Sequence, residues 1–240
     1  MTLQKEYELI TKIFNDNFNG DEELKLKVFK YPYLYESSPL LDEKNKNLAE
    51  LLINVRMKID KKENDNYSIL KKFCNDKKNT LNGMYKINSN EYIIFYDGYV
   101  MIKTPYKLNS IPIKENKGNF DKTFKRIIDD NYEFEDFYTA DDLKYLIKEL
   151  KNSCDLLKAK GRGIKPVVEL YEGYFLNAEI LINILSLYRN TGVYISYDTP
   201  IKPFKFECEN HDCDSIILPI SPKTIPKDKH NVVRCKYDWY

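Results

Sequence analysis

The sequence predicts an α+β fold built on antiparallel sheets. Several segments place apolar residues three and four positions apart, as amphipathic helices do. Other segments are short apolar runs bounded by turn residues, which is typical of antiparallel hairpins. One order of elements, a helix followed by three short strands, occurs twice, over residues 67–103 and 177–220. This repeated order predicts two related sheet-forming parts.

Composition and charge are those of an ordinary globular protein. Hydrophobic residues make up 42% and charged residues 31% of the 240 residues, enough for a buried core. The net charge of +1 excludes a strongly basic, general nucleic-acid binder, although it allows a local basic face. No apolar run approaches the roughly 18 residues of a membrane span, and no signal core opens the sequence. Five cysteines without a disulfide framework indicate reduced thiols in a cytoplasmic protein.

The first 65 residues form a region of unknown type. Apolar spacing over residues 3–18 predicts a helix, and the alternation of residues 24–29 predicts a strand. Residues 31–39 have the composition of a loop, and residues 48–55 have the pattern of a short helix. The polar residues 61–66 predict a boundary with the part that follows.

Residues 66–138 contain the first helix-and-strands unit. Tyr67, Leu70 and Phe73 predict a helix of about ten residues. The Asp97-Gly98 pair is a hairpin turn signal between two strands. Beyond them, residues 104–120 are expected to be irregular. The predicted strands and the last, weakly helical segment are 81–87, 92–96, 99–103 and 123–128.

Residues 139–221 contain the second unit, and residues 222–240 a tail. Thr139 is a predicted N-cap with acidic residues in the first turn, and Asn177 caps another helix. The tail carries Pro222 and Pro226 and is expected to be an extended arm. The predicted strands are 167–171, 193–197, 204–207 and 215–220.

Two groups of residues resemble one known family. In the first, Asn177-Ala178 opens a helix, Gly192 to Phe204 forms a strand, a proline-containing turn and a strand, and Leu218-Pro219-Ile220 ends the last strand. In the second, Asp97-Gly98-Tyr99 follows the strand Ile93 to Tyr96. Together they resemble the bacterial DNA sliding clamp, the beta subunit of DNA polymerase III. The resemblance covers about 67–105 and 139–221.

The resemblance implies a DNA-clamp-like α+β fold, with antiparallel sheets and paired helices on one face. Residues 66–138 would be a first clamp-like part and residues 139–221 a clamp-like C-terminal part. A bacterial clamp chain carries three domains, which 240 residues do not accommodate. Two interpretations follow: a two-domain chain that forms a homotrimeric ring, or a fused, shortened remnant that does not close a ring. We expect the clamp-like protein to come from a phage or mobile element.

The resemblance also implies a peptide-binding groove between the Asp-Gly turn and the final strand. Such a groove anchors aromatic or aliphatic side chains in a concave apolar patch. Val100 replaces an arginine of the family pattern, and the alternative is that these residues are plain strand core. The candidate groove residues are Gly98, Tyr99, Met101, Leu218, Pro219 and Ile220.

A second implied site is a basic helical face that contacts the phosphates of duplex DNA without sequence preference. The alternative is an ordinary solvated face, because Asp141, Asp142 and Glu149 dilute its charge. The candidate DNA-binding residues are Lys144, Lys148, Lys151, Arg162 and Arg189.

Metal binding and catalysis find little support in the sequence. Cys208, His211 and Cys213 crowd one loop, but zinc needs about four tetrahedral ligands, usually in two pairs. Neither His211 nor His230 belongs to a nucleophile motif, and no phosphate-binding glycine loop is present. We therefore expect no metal, no cofactor and no enzymatic activity.

The sequence favours a replication accessory protein; the alternative is a clamp mimic that binds and inhibits a host replication or defence protein.

Overall fold

The computed structural model describes residues 2–36, 38–74, 81–88, 91–115, 119–161, 164–208 and 213–234. Its helices are α1 (Leu3–Asn17), α2 (Glu22–Lys30), α3 (Pro32–Tyr35), α4 (Glu43–Glu63), α5 (Tyr67–Phe73), α6 (Phe120–Ile128), α7 (Ala140–Lys160) and α8 (Ala178–Leu187). Its first strands are β1 (Gly83–Lys86), β2 (Tyr92–Tyr96), β3 (Val100–Thr104), β4 (Ile113–Lys114) and β5 (Phe134–Tyr138). The later strands are β6 (Val167–Tyr171), β7 (Tyr174–Asn177), β8 (Val193–Tyr197), β9 (Phe204–Glu207), β10 (Asp214–Ile217) and β11 (Val232–Arg234). The predicted α+β class is confirmed.

The N-terminal region is helical and has its own small core of Phe14, Val28, Ala49 and Leu52. The strand predicted over residues 24–29 is wrong: these residues lie in α2. The Asp21 carboxylate accepts a hydrogen bond from the Leu24 amide at 2.6 Å, which caps the helix. The predicted loop over residues 31–39 contains α3, and the predicted short helix is part of the longer α4.

One eight-stranded sheet joins the two predicted parts of the chain. Its strand order is β4-β1-β2-β3-β10-β9-β8-β5. The central seam is the antiparallel pair of β3 and β10, in which Met101 lies opposite Ile216. From each part, three predicted strands are present in this sheet, and their ends lie within three residues of the predicted ends. The strands β4 and β5 at the sheet edges were not predicted.

The helices lie mainly on one face of this sheet. Side chains alternate between faces along a strand. Ile102 and Ile217 point into the main core with the buried residues of α5, α7 and α8, which include Leu70, Leu146 and Leu181. Helices α7 and α8 pack against each other, as the predicted pairing requires. Met101 and Ile216 point to the opposite face, where α6 covers them.

A second sheet has the order β11-β6-β7 and holds the end of the described chain. β11 pairs in parallel with β6, and Val233 lies buried in the main core. The tail therefore turns back onto the protein through residue 234, in contrast to the extended arm that the sequence predicts. The buried Glu169 carboxylate accepts hydrogen bonds from Arg234 Nε at 3.1 Å and from Lys229 Nζ at 3.4 Å.

Candidate functional site

A cavity lies over the β3–β10 seam, on the face that carries α6. Its volume is about 740 Å³, in the range of ligand pockets. Strands supply most of its floor and α6 supplies one wall. The lining residues are Phe95, Gly98, Tyr99, Val100, Met101, Phe120, Thr123, Arg126, Ile127, Asp130, Tyr132, Lys202, Pro203, Ile216 and Leu218.

The Asp97-Gly98 turn sets one end of this cavity. Both residues have left-handed backbones, with φ of 50° and 74°. This conformation suits glycine and is tolerated by aspartate. The Asn82 side chain holds the turn because its oxygen accepts from the Asp97 amide at 2.6 Å and its nitrogen donates to Asp97 Oδ1 at 3.1 Å. The Leu218 amide donates to the Tyr99 carbonyl at 2.8 Å, which extends the seam past β10.

Aromatic contacts hold α6 against the strands. Phe120 stacks on Phe95 with ring centres 4.5 Å apart and lies 4.7 Å from the Tyr85 ring. Phe124 is buried between the helix and the sheet. The same helix presents Thr123, Arg126 and Ile127 to the cavity.

Two lysines hold the C-terminal end of α6. Lys205 Nζ donates to the carbonyls of Ile128 and Asp130, both at 2.7 Å, and Lys202 Nζ donates to the carbonyl of Asn131 at 2.9 Å. Helix carbonyls at this end lack partners within the helix, so these bonds satisfy groups that would otherwise need water. The wall is therefore fixed at its aromatic and its C-terminal ends.

Tyr132 lines the cavity and lies beside both lysines. Lys202 Nζ and Lys205 Nζ each lie 4.3 Å from the centre of its ring, within the range of cation–π contacts. Its hydroxyl is buried and has no hydrogen-bond partner among the described residues. Burial, only partly offset by the charge of Lys202, raises the pKa of Tyr132 to about 12. The hydroxyl is therefore protonated at neutral pH.

The structure brings together four of the six predicted groove residues. Gly98, Tyr99, Met101 and Leu218 line the cavity, and Tyr99 and Leu218 are exposed. Pro219 and Ile220 are not among the lining residues. The Ile220 amide instead donates to the Phe175 carbonyl of β7 at 2.7 Å. Peptide binding at this groove stays a prediction.

Sequence reasoning missed the wall and the rim of the cavity, which are formed by Phe120, Arg126, Tyr132 and Lys202. The one available signal was the spacing of Phe120, Phe124 and Ile127, which marks an amphipathic helix with an apolar side to bury.

Four of the five predicted DNA-binding residues lie on the helical side of the protein, away from the cavity. Lys144, Lys148 and Lys151 are exposed on α7. Lys144 pairs with Asp141 at 3.0 Å, which offsets part of its charge. Arg189 is exposed just after α8, and Arg162 lies outside the described residues. DNA contact by this face stays a prediction.

The loop considered above as a metal site lies largely outside the described residues. Cys208 and Cys213 are buried free thiols, and the residues between them, including His211, lie outside the described residues. His230 is occupied by a 2.7 Å contact with Asp228. Across the described ranges, no three histidine, cysteine or acidic side chains gather as metal ligands do. Within the same ranges, no helix has the length and apolar character needed to cross a membrane.

Comparisons with known proteins point to one group of solved structures. The beta subunit of DNA polymerase from Streptococcus pyogenes is 11% identical, with a TM-score of 0.46, over 69% of this chain and 64% of that one. The beta subunit from Borrelia burgdorferi, solved with a natural product, is 14% identical, with a TM-score of 0.40, over 64% and 61%. The Helicobacter pylori beta clamp bound to a DNA ligase peptide is 16% identical, with a TM-score of 0.31, over 56% and 42%.

These solved structures are of the family that the sequence motifs resemble, at low identity and over part of each chain. The chain spans between 42% and 64% of the length of these three clamps. No protein-family model matches the chain. No curated protein matches it either.

Proposed function

We propose that this protein is a non-enzymatic, clamp-like replication accessory protein whose groove captures short segments of partner proteins. The observation that carries the proposal is the cavity over the β3–β10 seam. It joins the Asp97-Gly98 turn with the chain segment that follows the last strand of the sheet, as the sequence motifs predict. Contact of duplex DNA with the exposed lysines of α7 is the second part of the proposal.

The lining of the cavity is better suited to binding the apolar side chains of a peptide than to catalysing a reaction. Its floor is formed by apolar residues such as Met101, Ile216 and Leu218. An aromatic or aliphatic side chain that enters such a pocket loses apolar surface to water and supplies most of the binding energy of a peptide. Asp130 and Lys202, two of its charged residues, neutralise each other at 3.1 Å.

A Leu218→Glu variant tests the groove. Leu218 is 37% exposed, so the substitution should leave the fold intact while it places a charge in the apolar pocket. We expect peptides selected on the wild-type protein from a random heptapeptide display library to bind this variant at least about tenfold more weakly. Fluorescence anisotropy with fluorescein-labelled copies of those peptides measures the change.

Leu156→Glu is the matched control, because Leu156 is 68% exposed on α7 and does not line the cavity. It should bind the same peptides as tightly as the wild type. Selection of no peptide at all, or equal affinities for the two variants, would contradict peptide capture by this groove.

The alternative function is a clamp mimic that binds one host replication or defence protein. The acids interleaved with the α7 lysines favour it, since Lys144 is already paired with Asp141. Pull-down from host lysate distinguishes the two. A mimic should recover one dominant partner, and this partner should remain bound after nuclease treatment. A partner that is held through DNA should be lost on the same treatment.

A further inference from the structure

We propose that α6 sets the selectivity of the groove through Arg126, so that the preferred occupant is an acidic peptide whose carboxylate lies beside its apolar anchor. This inference rests on the proposed function, because it names the chemistry of the partner that the same groove binds. It adds a residue that no sequence motif marks and that comes from a different element than the strands of the floor.

The charges around the cavity leave one cation unmatched. The charged lining residues are Arg126, Asp130 and Lys202. Lys202 is held by Asp130 at 3.1 Å and by Asp198 at 2.9 Å. Arg126 is exposed and forms no ion pair or side-chain hydrogen bond with any described residue. The cavity therefore presents a free guanidinium to whatever binds there.

The backbone at Arg126 is held in place before any partner binds. Its helix is anchored at one end by the stacking of Phe120 on Phe95 and at the other by Lys205, which holds the Ile128 carbonyl at 2.7 Å. Arg126 lies one residue before Ile127, and both line the cavity. A side chain carried on an anchored helix costs less to order on binding than one carried on a mobile loop.

The chemistry of a guanidinium beside an apolar floor favours a carboxylate. Its parallel N–H groups match the two carboxylate oxygens, and charge-assisted hydrogen bonds are stronger than neutral ones. Val100, which also lines the cavity, brings no charge of its own, and the acidic Asp130 is already paired. A basic peptide would meet Arg126 as a like charge, which is unfavourable. An apolar peptide without an acid would fill the floor and leave Arg126 in water.

Charge reversal at Arg126 tests the inference. The same random heptapeptide display library is selected in parallel on the wild type, on Arg126→Glu and on Lys125→Glu. We expect Asp or Glu to be enriched next to the apolar anchor with the wild type, and Lys or Arg to replace it with Arg126→Glu. Lys125 is exposed on the same helix and does not line the cavity, so Lys125→Glu should keep the acidic preference.

The affinities of single peptides then measure how much the peptide carboxylate contributes to binding. A fluorescein-labelled copy of the best wild-type peptide is compared with its Asp→Asn or Glu→Gln form by anisotropy. We expect the neutral form to bind the wild type roughly tenfold more weakly and to bind Arg126→Gln with no further loss.

Three outcomes decide the matter. Peptides that depend on Leu218 but show no acidic preference, or keep it with Arg126→Glu, would overturn this inference and leave the proposed function standing. Recovery of no peptide on the wild type would overturn both. A preference that reverses with Arg126→Glu and not with Lys125→Glu establishes the inference.

Discussion

Tyr132 and Tyr188 both have buried hydroxyl groups, but the two differ in their hydrogen bonding. The Tyr188 hydroxyl contacts the Phe206 carbonyl at 3.1 Å and Ser215 Oγ at 2.7 Å. The Tyr132 hydroxyl has no partner among the described residues. A buried polar group without a partner costs free energy, whereas one with partners contributes modestly to stability. The two residues therefore predict opposite effects for the same chemical change.

We expect Tyr132→Phe to leave the free energy of unfolding unchanged or to raise it by up to about 1 kcal/mol, because it removes an unpaired hydroxyl. Tyr188→Phe should lower it by about 1–2 kcal/mol, since the Phe206 carbonyl and Ser215 lose a partner. Urea unfolding followed by circular dichroism measures both. An equal loss in the two variants would mean that the Tyr132 hydroxyl is bonded in solution.

At the scale of single elements, helix-capping residues indicate the correct secondary structure where the alternation of apolar residues suggests the wrong one. The alternating residues 24–29 suggest a strand, but four to six residues are too few to separate a period of 2 from one of 3.6. Asp21 at the N-cap, Glu22 and Glu23 in the first turn and Lys30 in the last turn all favour the helix that forms. The strand β5 was missed for the opposite reason, because Glu135 and Asp136 interrupt its apolar pattern on an exposed sheet edge.

The groove, too, was only partly predictable from the sequence. Its floor was predictable because the Asp97-Gly98 turn and the segment at Leu218 carry local motifs. Its wall was not, because Arg126 and Tyr132 reach the cavity only through the packing of α6 on the sheet. No local pattern in a sequence encodes such a contact between distant segments.

The strand β11 depends on Glu169, and this dependence predicts a pH effect. Burial would raise the pKa of the Glu169 carboxyl, but the hydrogen bond from the Gly173 amide and the charges of Lys229 and Arg234 outweigh it and lower the pKa. A carboxyl with a lowered pKa stabilises the folded state above its unfolded pKa. This contribution is lost as the pH falls through the folded pKa.

We therefore expect β11 to be well protected near pH 6 and to loosen as the pH falls through the lowered pKa of Glu169. Hydrogen exchange of the Val232–Arg234 amides, corrected for the intrinsic pH dependence, measures this. Glu169→Gln should expose β11 at pH 6 and remove most of the pH dependence. A dependence that persists in this variant would assign the effect to another carboxyl group.

At the scale of the whole molecule, the two edges of the large sheet are where copies of the chain could join into a ring. The eight-stranded sheet ends at β4 and β5, which have no strand on their outer sides in the described chain. Edge strands invite pairing with another chain. The homotrimeric form of the proposal predicts a mass of three chains in light scattering. It also predicts retention on closed circular DNA and release when the circle is cut.

A remnant that cannot close a ring would remain a monomer and show no difference between circular and linear DNA. Lys144→Glu combined with Lys148→Glu should weaken retention and leave the mass unchanged, because both lysines are exposed on α7. A strict monomer without affinity for DNA would remove the ring from the proposal and leave the groove.

The seam between β3 and β10 also determines when the protein can finish folding. Ile102 pairs with Ser215, roughly 110 residues later in the chain. During synthesis, β3 therefore remains an unpaired sheet edge until β10 has left the ribosome. Such distant pairing slows folding and leaves the nascent chain prone to aggregation. Premature termination before β10 would release a fragment with this edge uncovered, a natural substrate for chaperones.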